Sequence, residues 1–266
     1  MMRGGRLAGV VTVVALMGAA LSGCGQRDTP GEDEPRRPGR EAPAAYASLD
    51  VVPEKLAANG TTIVVGDPHA PVSVHLYEDP RCPVCEEFES TGGGPELRQA
   101  TIRRETRTEY TLASFLDDRL GGSGSKKAVN ALRAALEEGK FAEYHQVLYA
   151  NQPEEAVDGF TDAYLLELAG RVEGLRGPAF DSAVRTMKYR AFVTASEHAY
   201  ELYGGTAEPG GPGTPTAVIN NVRVPQEYNG LLFDATIFHK LLEQIRKEPQ
   251  EWRETILGRR TAGTRS

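Results

Sequence analysis

The sequence of 266 residues is poor in the residue types that mark several common classes of protein. It has 3 cysteines and 1 tryptophan, and three cysteines are too few for a disulfide-rich scaffold. Positive charge is not in excess either, because the formal net charge is −7. Nucleic acid therefore has no global attraction to the chain, and a nucleic-acid-binding protein is disfavoured. A hydrophobic content of 40% is still enough for the core of one enlarged domain or two small ones.

Long apolar runs are also scarce, and the exception lies near the start of the chain. Residues 7–21 carry no charge, but the run is short for a spanning helix, which needs roughly 20 residues. Arg3 and Arg6 precede it, a pattern typical of a secretory signal peptide. Leu21-Ser22-Gly23-Cys24 resembles the bacterial lipobox. We expect a signal peptide over 1–23, a lipid on Cys24 and a protein held at the extracytoplasmic face of the membrane. Ordinary signal-peptidase cleavage and an uncleaved anchor are the alternatives.

The two ends of the remaining chain have compositions that do not favour a packed core. Residues 24–48 combine four prolines with charged residues, and we predict a disordered tether. Residues 248–266 are predicted to be a flexible tail, although Trp252 and Ile256 could dock on the domain.

Between these ends, strand and helix patterns alternate, and we predict an α/β fold. Strands are expected over 61–65, 72–77 and 106–113, and Asn220-Asn221 predicts a tight hairpin between strands at 216–219 and 222–224. A helix is expected from Cys82, broken by a Gly-Pro segment and resumed at 96–100. A last helix is capped by Asp234 and should bury Ile237, Leu241 and Ile245.

Apolar residues with helical spacing fill the middle of the chain. The predicted buried faces are Val129, Leu132 and Leu136; Phe141, Tyr144 and Leu148; Phe180, Val184 and Met187; Phe192, Ala195, Ala199 and Leu202, with a further helix around Leu165 and Leu168. This pattern predicts a helical insertion over 120–206 between the two parts of the sheet domain, 49–119 and 207–247. The insertion is either a lid or substrate-facing surface, or a cover for the sheet.

Cys82-Pro83-Val84-Cys85 follows a predicted strand and opens a predicted helix. Two intervening residues place both sulfurs within one helical turn, close enough to form a disulfide. The first sulfur lies at the helix N-terminus, where free N–H groups and the helix dipole stabilise an anion. We expect Cys82 to be the more accessible thiolate and Cys85 to resolve the mixed disulfide, with Arg81 lowering the Cys82 pKa further.

Three other interpretations of the cysteine pair stay open. A structural disulfide closing so short a loop would stabilise little. Copper delivery is possible because thiolates bind Cu(I) well. A zinc site would need histidines without ligand spacing to complete it, drawn from His69, His75, His145, His198 and His239.

Gly213-Thr214-Pro215-Thr216, far downstream, opens an apolar strand. Proline at the first position of a strand is permitted. The order and spacing of four motifs resemble those of the DsbA-like thioredoxin-fold family, particularly its secreted actinobacterial lipoprotein type. The motifs are Gly66-Asp67-Pro68-His69-Ala70-Pro71-Val72, Cys82-Pro83-Val84-Cys85, Glu138-Gly139-Lys140-Phe141 with Tyr144-His145, and Gly213-Thr214-Pro215-Thr216.

The resemblance, which covers about residues 61–247, implies a thioredoxin-like fold with a helical insertion and dithiol–disulfide exchange on exported proteins. It implies that Cys82 is the nucleophile, that Cys85 resolves, and that Thr214-Pro215 is a cis-proline pair presented to the Cys82 sulfur. No cofactor is expected. The expected partners are exported protein thiols and disulfides, a membrane redox protein that recycles the site, and the membrane itself through Cys24.

Two departures from the family pattern bear on the chemistry. Many relatives have a buried acidic residue six positions before the first cysteine, where this chain has Leu76. Glu78 and His75 lie nearby, and either could assist the deprotonation of Cys85, but we expect both to be sheet-end residues without a catalytic role. Strongly oxidising relatives often have a histidine between the cysteines, where this chain has Pro83-Val84. One lost hydrogen bond to sulfur shifts the potential by a few tens of millivolts, too little to fix the direction of the reaction. We favour net oxidation. The alternatives are reduction or isomerisation by the same fold, and a non-catalytic lipoprotein that binds copper or a partner protein.

Overall fold

The computed structural model describes residues 44–255, in which a sheet is flanked by helices. The strands are β1 (Glu54–Leu56), β2 (Ile63–Gly66), β3 (Val72–Glu78), β4 (Thr106–Leu112), β5 (Thr216–Ile219) and β6 (Val222–Arg223). The helices are α1 (Pro83–Ser90), α2 (Gly94–Ile102), α3 (Phe115–Leu120), α4 (Gly124–Glu137), α5 (Phe141–Tyr149), α6 (Asp162–Ala169), α7 (Pro178–Thr186), α8 (Arg190–Gly204) and α9 (Ala235–Lys247). The predicted α/β class is confirmed.

The sheet has the strand order β1–β2–β4–β3–β5–β6, so β3 is central. Only β3 and β4 are parallel, while the other neighbours are antiparallel. The carboxyl ends of β3 and β4 therefore meet at one edge, where Glu78 is paired with Leu112. β5 enters the sheet at the same edge, with Thr216 opposite Tyr77. This register brings the segment after β3, which holds the cysteines, beside the segment before β5, which holds Pro215.

The predicted hairpin between β5 and β6 is confirmed. Asn220 and Asn221 both have positive φ angles, of 48° and 63°, and asparagine tolerates this region better than most side chains. The side-chain oxygen of Asn220 also accepts a hydrogen bond from the Ser73 N–H at 2.8 Å. The turn is thus attached to the neighbouring strand β3.

The helices between β4 and β5 contact both faces of the sheet, α5 through Tyr110 and α8 through Tyr77, and most of their predicted buried faces are confirmed. The α4 and α5 faces are buried throughout. The face predicted for α8 is confirmed at Phe192 but wrong further along the helix, because Leu202 is 65% exposed and Ala195 is also exposed. The helix instead buries Phe192, Val193, Ser196 and Tyr200. Ser196 was not expected in a core, but its hydroxyl accepts a hydrogen bond from the Leu112 N–H at 3.0 Å.

Helix α9 begins at its predicted cap, since the Asp234 carboxylate accepts a hydrogen bond from the Ile237 N–H at 2.9 Å. Of the face predicted for this helix, only Ile245 is buried. Phe238, Leu242 and Ile245 are buried, whereas Ile237 is 43% exposed. The predicted stripe follows every fourth residue and misses the bulkier phenylalanine beside it.

The predicted flexible tail starts too early. Residues 249–255 are helical, and Trp252 is buried in the main core with its indole N–H donating to the Ile219 carbonyl at 3.1 Å. The predicted tether extends too far in the same way, because Tyr46 packs against the core and its N–H donates to the Ile102 carbonyl. Aromatic burial offsets the ordering entropy of both segments.

The signal peptide, Cys24 and Ile256 lie outside the described residues. Within residues 44–255, no helix combines the length and apolar character that crossing a membrane requires.

Candidate active site

The two cysteines lie at the start of α1, directly beyond the carboxyl end of β3. Cys82 is the N-cap of this helix, Pro83 occupies its first turn, and the Cys82 N–H donates to the Asp79 carbonyl at 2.9 Å in the preceding turn. Proline suits this position because the first helical N–H groups have no partner within the helix. Both thiols are free. Cys82 is 7% exposed and Cys85 is fully buried, so an incoming sulfur can reach only Cys82.

The surroundings of Cys82 favour its ionised form. Its pKa is lowered to about 6, mainly by a hydrogen bond from the Cys85 thiol, with further contributions from Thr214 and from the backbone N–H groups of Cys85 and Val84; burial opposes them. At neutral pH most of the Cys82 population is therefore thiolate. Burial raises the pKa of Cys85, and its hydrogen bond to Cys82 raises it further, so Cys85 stays protonated.

The Thr214–Pro215 peptide bond is cis, and it lies against the nucleophile. The Thr214 carbonyl is 3.4 Å from the Cys82 sulfur. The hydroxyl of Thr214 is buried and finds no hydrogen-bond partner among the described residues, which leaves it available to the thiolate. The next residue fixes the loop, because the Thr216 hydroxyl donates to the Gly213 carbonyl at 2.9 Å.

Arg81 does not have the role predicted for it. Its guanidinium is buried, forms an ion pair with Asp117 at 2.9 Å, and donates to the carbonyls of Gly121 and Glu155. Its charge is thus compensated by a buried carboxylate, and its hydrogen bonds connect the turn before α1 with α3 and with the loops that contain Gly121 and Glu155. The turn before the cysteines is held from the other side by Gln152, whose amide donates to the carbonyls of Pro80 and Cys82.

A buried acid lies beneath the cysteine pair after all, two residues beyond the family position. Side chains on a strand repeat every two residues, so Glu78 points to the same face of β3 as Leu76. Glu78 is fully buried, and this desolvation raises its pKa to about 8. Its charge raises the pKa of Cys85, and the Cys82 thiolate in turn raises that of Glu78. The expectation that Glu78 is merely a sheet-end residue is therefore not supported by its surroundings.

Glu78 belongs to a buried polar cluster with His145 and Glu89. His145 Nε2 is 3.0 Å from Glu78 Oε2, and burial lowers the pKa of this imidazole to about 4. Glu89 forms an ion pair with Arg98 at 2.5 Å. Burial raises the pKa of Glu89 to about 7 and that of Glu78 to about 8, and the nearby Glu78 raises the pKa of Glu89 as well, so the cluster holds a proton at neutral pH. The cluster thus holds a transferable proton beside Cys85 without an unpaired charge.

His75, the other candidate from the sequence, lies on the opposite face of β3. Its Nε2 is 2.9 Å from the Thr111 hydroxyl, and its ring stacks on Tyr77. Burial lowers its pKa. It has no contact with the cluster beneath the cysteines.

Among the described residues, the side chains of this cluster are also the ones placed closely enough to be considered as metal ligands. One ligand atom from each of Glu78, Glu89 and His145 lies within 4.8 Å of the others. Neither cysteine belongs to it, and Arg98 already supplies its positive charge. The residues fit a proton-holding site better than a metal centre.

Sequence reasoning missed most of this cluster. The sequence places His145 in a family-like motif and among the histidines that a zinc site would need, and no motif marks Glu89. Glu89 lies four residues after Cys85, a spacing that places two residues on the same face of a helix. This spacing is the feature of the sequence that indicates a position for Glu89 on the same helix face as Cys85.

Comparisons with known proteins agree with this geometry. A family model described as thioredoxin matches residues 58–232. The structure of BdbD from Bacillus subtilis is similar, with 19% identity and a TM-score of 0.57 over 77% of this chain and 100% of that one. MdbA of Corynebacterium diphtheriae, described as a thiol-disulfide oxidoreductase, has 19% identity and a TM-score of 0.55 over 71% of this chain and 94% of that one. DsbA of Chlamydia trachomatis has 20% identity and a TM-score of 0.54 over 69% and 91%. A search of curated proteins gives no significant match. The predicted DsbA-like thioredoxin fold is confirmed.

Proposed function

Since the chain belongs to the thioredoxin family, we propose that it is a thiol-disulfide oxidoreductase that oxidises exported proteins outside the cytoplasm. The observation that carries this proposal is the Cys82 thiol, with a pKa lowered to about 6 and the Thr214 carbonyl 3.4 Å from its sulfur. A stabilised thiolate is a good leaving group, so the disulfide form of the pair is readily reduced by a substrate dithiol.

The reaction begins with the Cys82–Cys85 disulfide. A substrate thiolate attacks the Cys82 sulfur, a substrate–Cys82 disulfide forms, and Cys85 leaves. A second substrate thiolate then attacks the substrate sulfur of this mixed disulfide, and Cys82 leaves as a thiolate. Two electrons pass from the substrate to the enzyme. One substrate proton ends on Cys85 and the other is released to solvent.

Glu78 passes its proton to Cys85 as Cys85 leaves and takes up in its place one of the two protons that the substrate thiols release, so the enzyme gains one proton overall. Its raised pKa keeps the carboxyl largely protonated at pH 7, and once it is ionised its charge raises the pKa of Cys85. A buried thiolate without a proton donor would be costly. His145 and Glu89 hold Glu78 in place and provide further sites for the proton. In the reverse reaction Glu78 accepts the Cys85 proton.

Export and membrane attachment are proposed from the start of the chain. Arg3, Arg6 and the apolar residues 7–21 are typical of a signal peptide, and Cys24 follows a lipobox-like sequence. With Cys24 lipidated, Cys82 and Cys85 are the remaining cysteines, an even pair suited to an oxidising compartment. A membrane redox partner would return the reduced pair to its disulfide form.

The test is oxidation of a reduced two-cysteine peptide by the oxidised protein, followed by mass spectrometry of the peptide. We expect stoichiometric disulfide formation in the peptide with the wild-type protein and none with Cys82→Ser. An equal yield of oxidised peptide with both proteins would contradict the catalytic role of Cys82. A reduction potential below about −250 mV for the pair would instead favour the reductase or isomerase alternative.

A further inference from the structure

The aromatic side chain Tyr200, in α8 of the helical block, holds the loop that contains the cis peptide bond. Its ring is buried, and its hydroxyl oxygen accepts a hydrogen bond from the Gly213 N–H at 3.1 Å. Gly213 directly precedes Thr214, whose carbonyl is 3.4 Å from the Cys82 sulfur. One hydrogen bond therefore links a helix of the insertion to the backbone that faces the nucleophile.

The loop also folds closely over the Tyr200 ring. Gly211 has a φ of +97°, and a Cβ atom at this position would lie 2.1 Å from the ring. Both the left-handed backbone and the missing side chain are required there. Gly210 is different, because it has a φ of +120° but nothing within 4 Å of its own Cβ position. The close approach is thus specific to the residue that lies on the ring.

Tyr200 is also connected to the cysteines by packing contacts, through Phe115. The two rings stack with centroids 5.3 Å apart and an interplanar angle of 7°. Phe115 also packs against the small cluster that contains Cys82 and Cys85. Tyr200 and Phe115 therefore span the distance between the loop and the cysteine pair on one continuous apolar path.

We propose that Tyr200 is a positioning residue that fixes the Thr214–Pro215 loop beside Cys82 for polypeptide substrates. The helical insertion would then contribute directly to substrate binding at the exchange site. This inference rests on the proposed function. An extended substrate pairs with the backbone of such a loop through hydrogen bonds, and the pairing requires a loop held in one place. A small dithiol makes no backbone pairing and depends only on the sulfur atoms.

The test compares the oxidised Tyr200→Phe and wild-type proteins on a reduced two-cysteine peptide and on dithiothreitol, both at pH 8.5, where a useful share of the attacking substrate thiols is ionised. We expect the second-order rate for the peptide to fall about 5-fold, an effect of the size of one neutral hydrogen bond. The dithiothreitol rate should stay within about twofold, since its sulfur chemistry is unchanged. Tyr144→Phe is the matched control, because it removes a buried hydroxyl of the same block that donates to the Leu165 carbonyl, away from the loop. Its two rates should match those of wild type.

A second pair of variants tests the same contact through the backbone. Gly211→Ala, which forces the loop off the ring, should slow the peptide more than Gly210→Ala, which strains the backbone alone. Peptide oxidation by Tyr200→Phe at the wild-type rate would overturn the inference, and so would equal slowing of both substrates. A wild-type protein that oxidises no peptide would instead refute the proposed function, and the inference with it.

Discussion

The Thr214 hydroxyl should set a measurable part of the acidity of Cys82. It is buried without a partner among the described residues, and Thr214 is among the groups that lower the Cys82 pKa to about 6. Thr214→Val keeps the shape of the side chain and removes the donor. One hydrogen bond to a charged group is worth about 1.5–3 kcal/mol, or about 1–2 pKa units. Because other groups compensate in part, we expect a rise of about one unit.

This shift has a defined consequence for the redox potential. A pKa of about 6 leaves roughly nine-tenths of Cys82 ionised at pH 7, and a rise of one unit would leave about half. The reduced form then loses about 1 kcal/mol of stabilisation, which makes the disulfide less oxidising by about 20 mV. Below pH 5 Cys82 is protonated in both wild type and Thr214→Val. The reduction potentials of the two proteins should therefore be equal there.

The measurement is the rate of Cys82 alkylation by iodoacetamide between pH 4 and 9, with the potential determined at pH 5 and pH 7. Thr214→Ser keeps a hydroxyl and is the matched control, with a midpoint near that of wild type. A Thr214→Val midpoint within about 0.3 units of wild type would refute the reasoning, because the hydroxyl would then donate nothing to the thiolate. An equal shift for serine and valine would refute it as well.

Three further predictions concern neighbouring groups. Cys85→Ala should raise the midpoint of Cys82 alkylation more than Cys85→Ser, which keeps a donor, since the Cys85 hydrogen bond is the largest cause of the low pKa; equal midpoints would contradict this. Arg81→Met should lower the free energy of unfolding by about 3–5 kcal/mol, because Asp117 stays buried without its ion-pair partner. The midpoint of Cys82 alkylation should not change. A raised midpoint would instead show that the Arg81 charge lowers the Cys82 pKa, as the sequence predicts. Burial raises the pKa of Glu78 from 4.5 to about 8, so its proton stabilises the fold fully below pH 4.5 and this stabilisation is lost as the pH rises through 8. Urea unfolding of the reduced protein should therefore show a smaller loss of stability between pH 5.5 and 8.5 for Glu78→Gln than for wild type, and parallel curves would argue against a protonated Glu78.

The cysteine pair and the proline loop could be predicted because each is a local pattern. Cys82-Pro83-Val84-Cys85 fixes its own geometry within one helical turn, and its position after a strand places it at a sheet edge. The cis bond at Thr214–Pro215 followed from the resemblance of its motif and from the strand that begins there. Neither feature depends on the packing of segments that are distant in the sequence.

The buried cluster could not be predicted, since its members come from β3, α1 and α5. The distance between Glu78 and His145 depends on how α5 packs under the sheet, and no local pattern reports it. The family position is occupied by Leu76, and the sequence does not show that Glu78, the next residue on the same strand face, is the acid buried beneath the cysteines. Arg81 was misjudged for a similar reason, because its partner Asp117 lies in another segment of the chain.

The buried faces of α8 and α9 show a limit of apolar spacing. Ser196 is buried because its hydroxyl accepts a hydrogen bond from the backbone of β4, and Leu202 is exposed near the end of its helix. A stripe of apolar letters gives the period of a helix correctly but not its rotation when polar residues have partners in the core.

The indole of Trp252 bears on how this protein can be shortened. Its N–H donates to the Ile219 carbonyl, at the far end of the strand that begins beside Pro215. A chain trimmed after Lys247 to obtain a minimal catalytic fragment would lose a large apolar side chain and leave that carbonyl open to water. Truncations made for crystallisation or for display on another protein should therefore retain the residues up to Thr255.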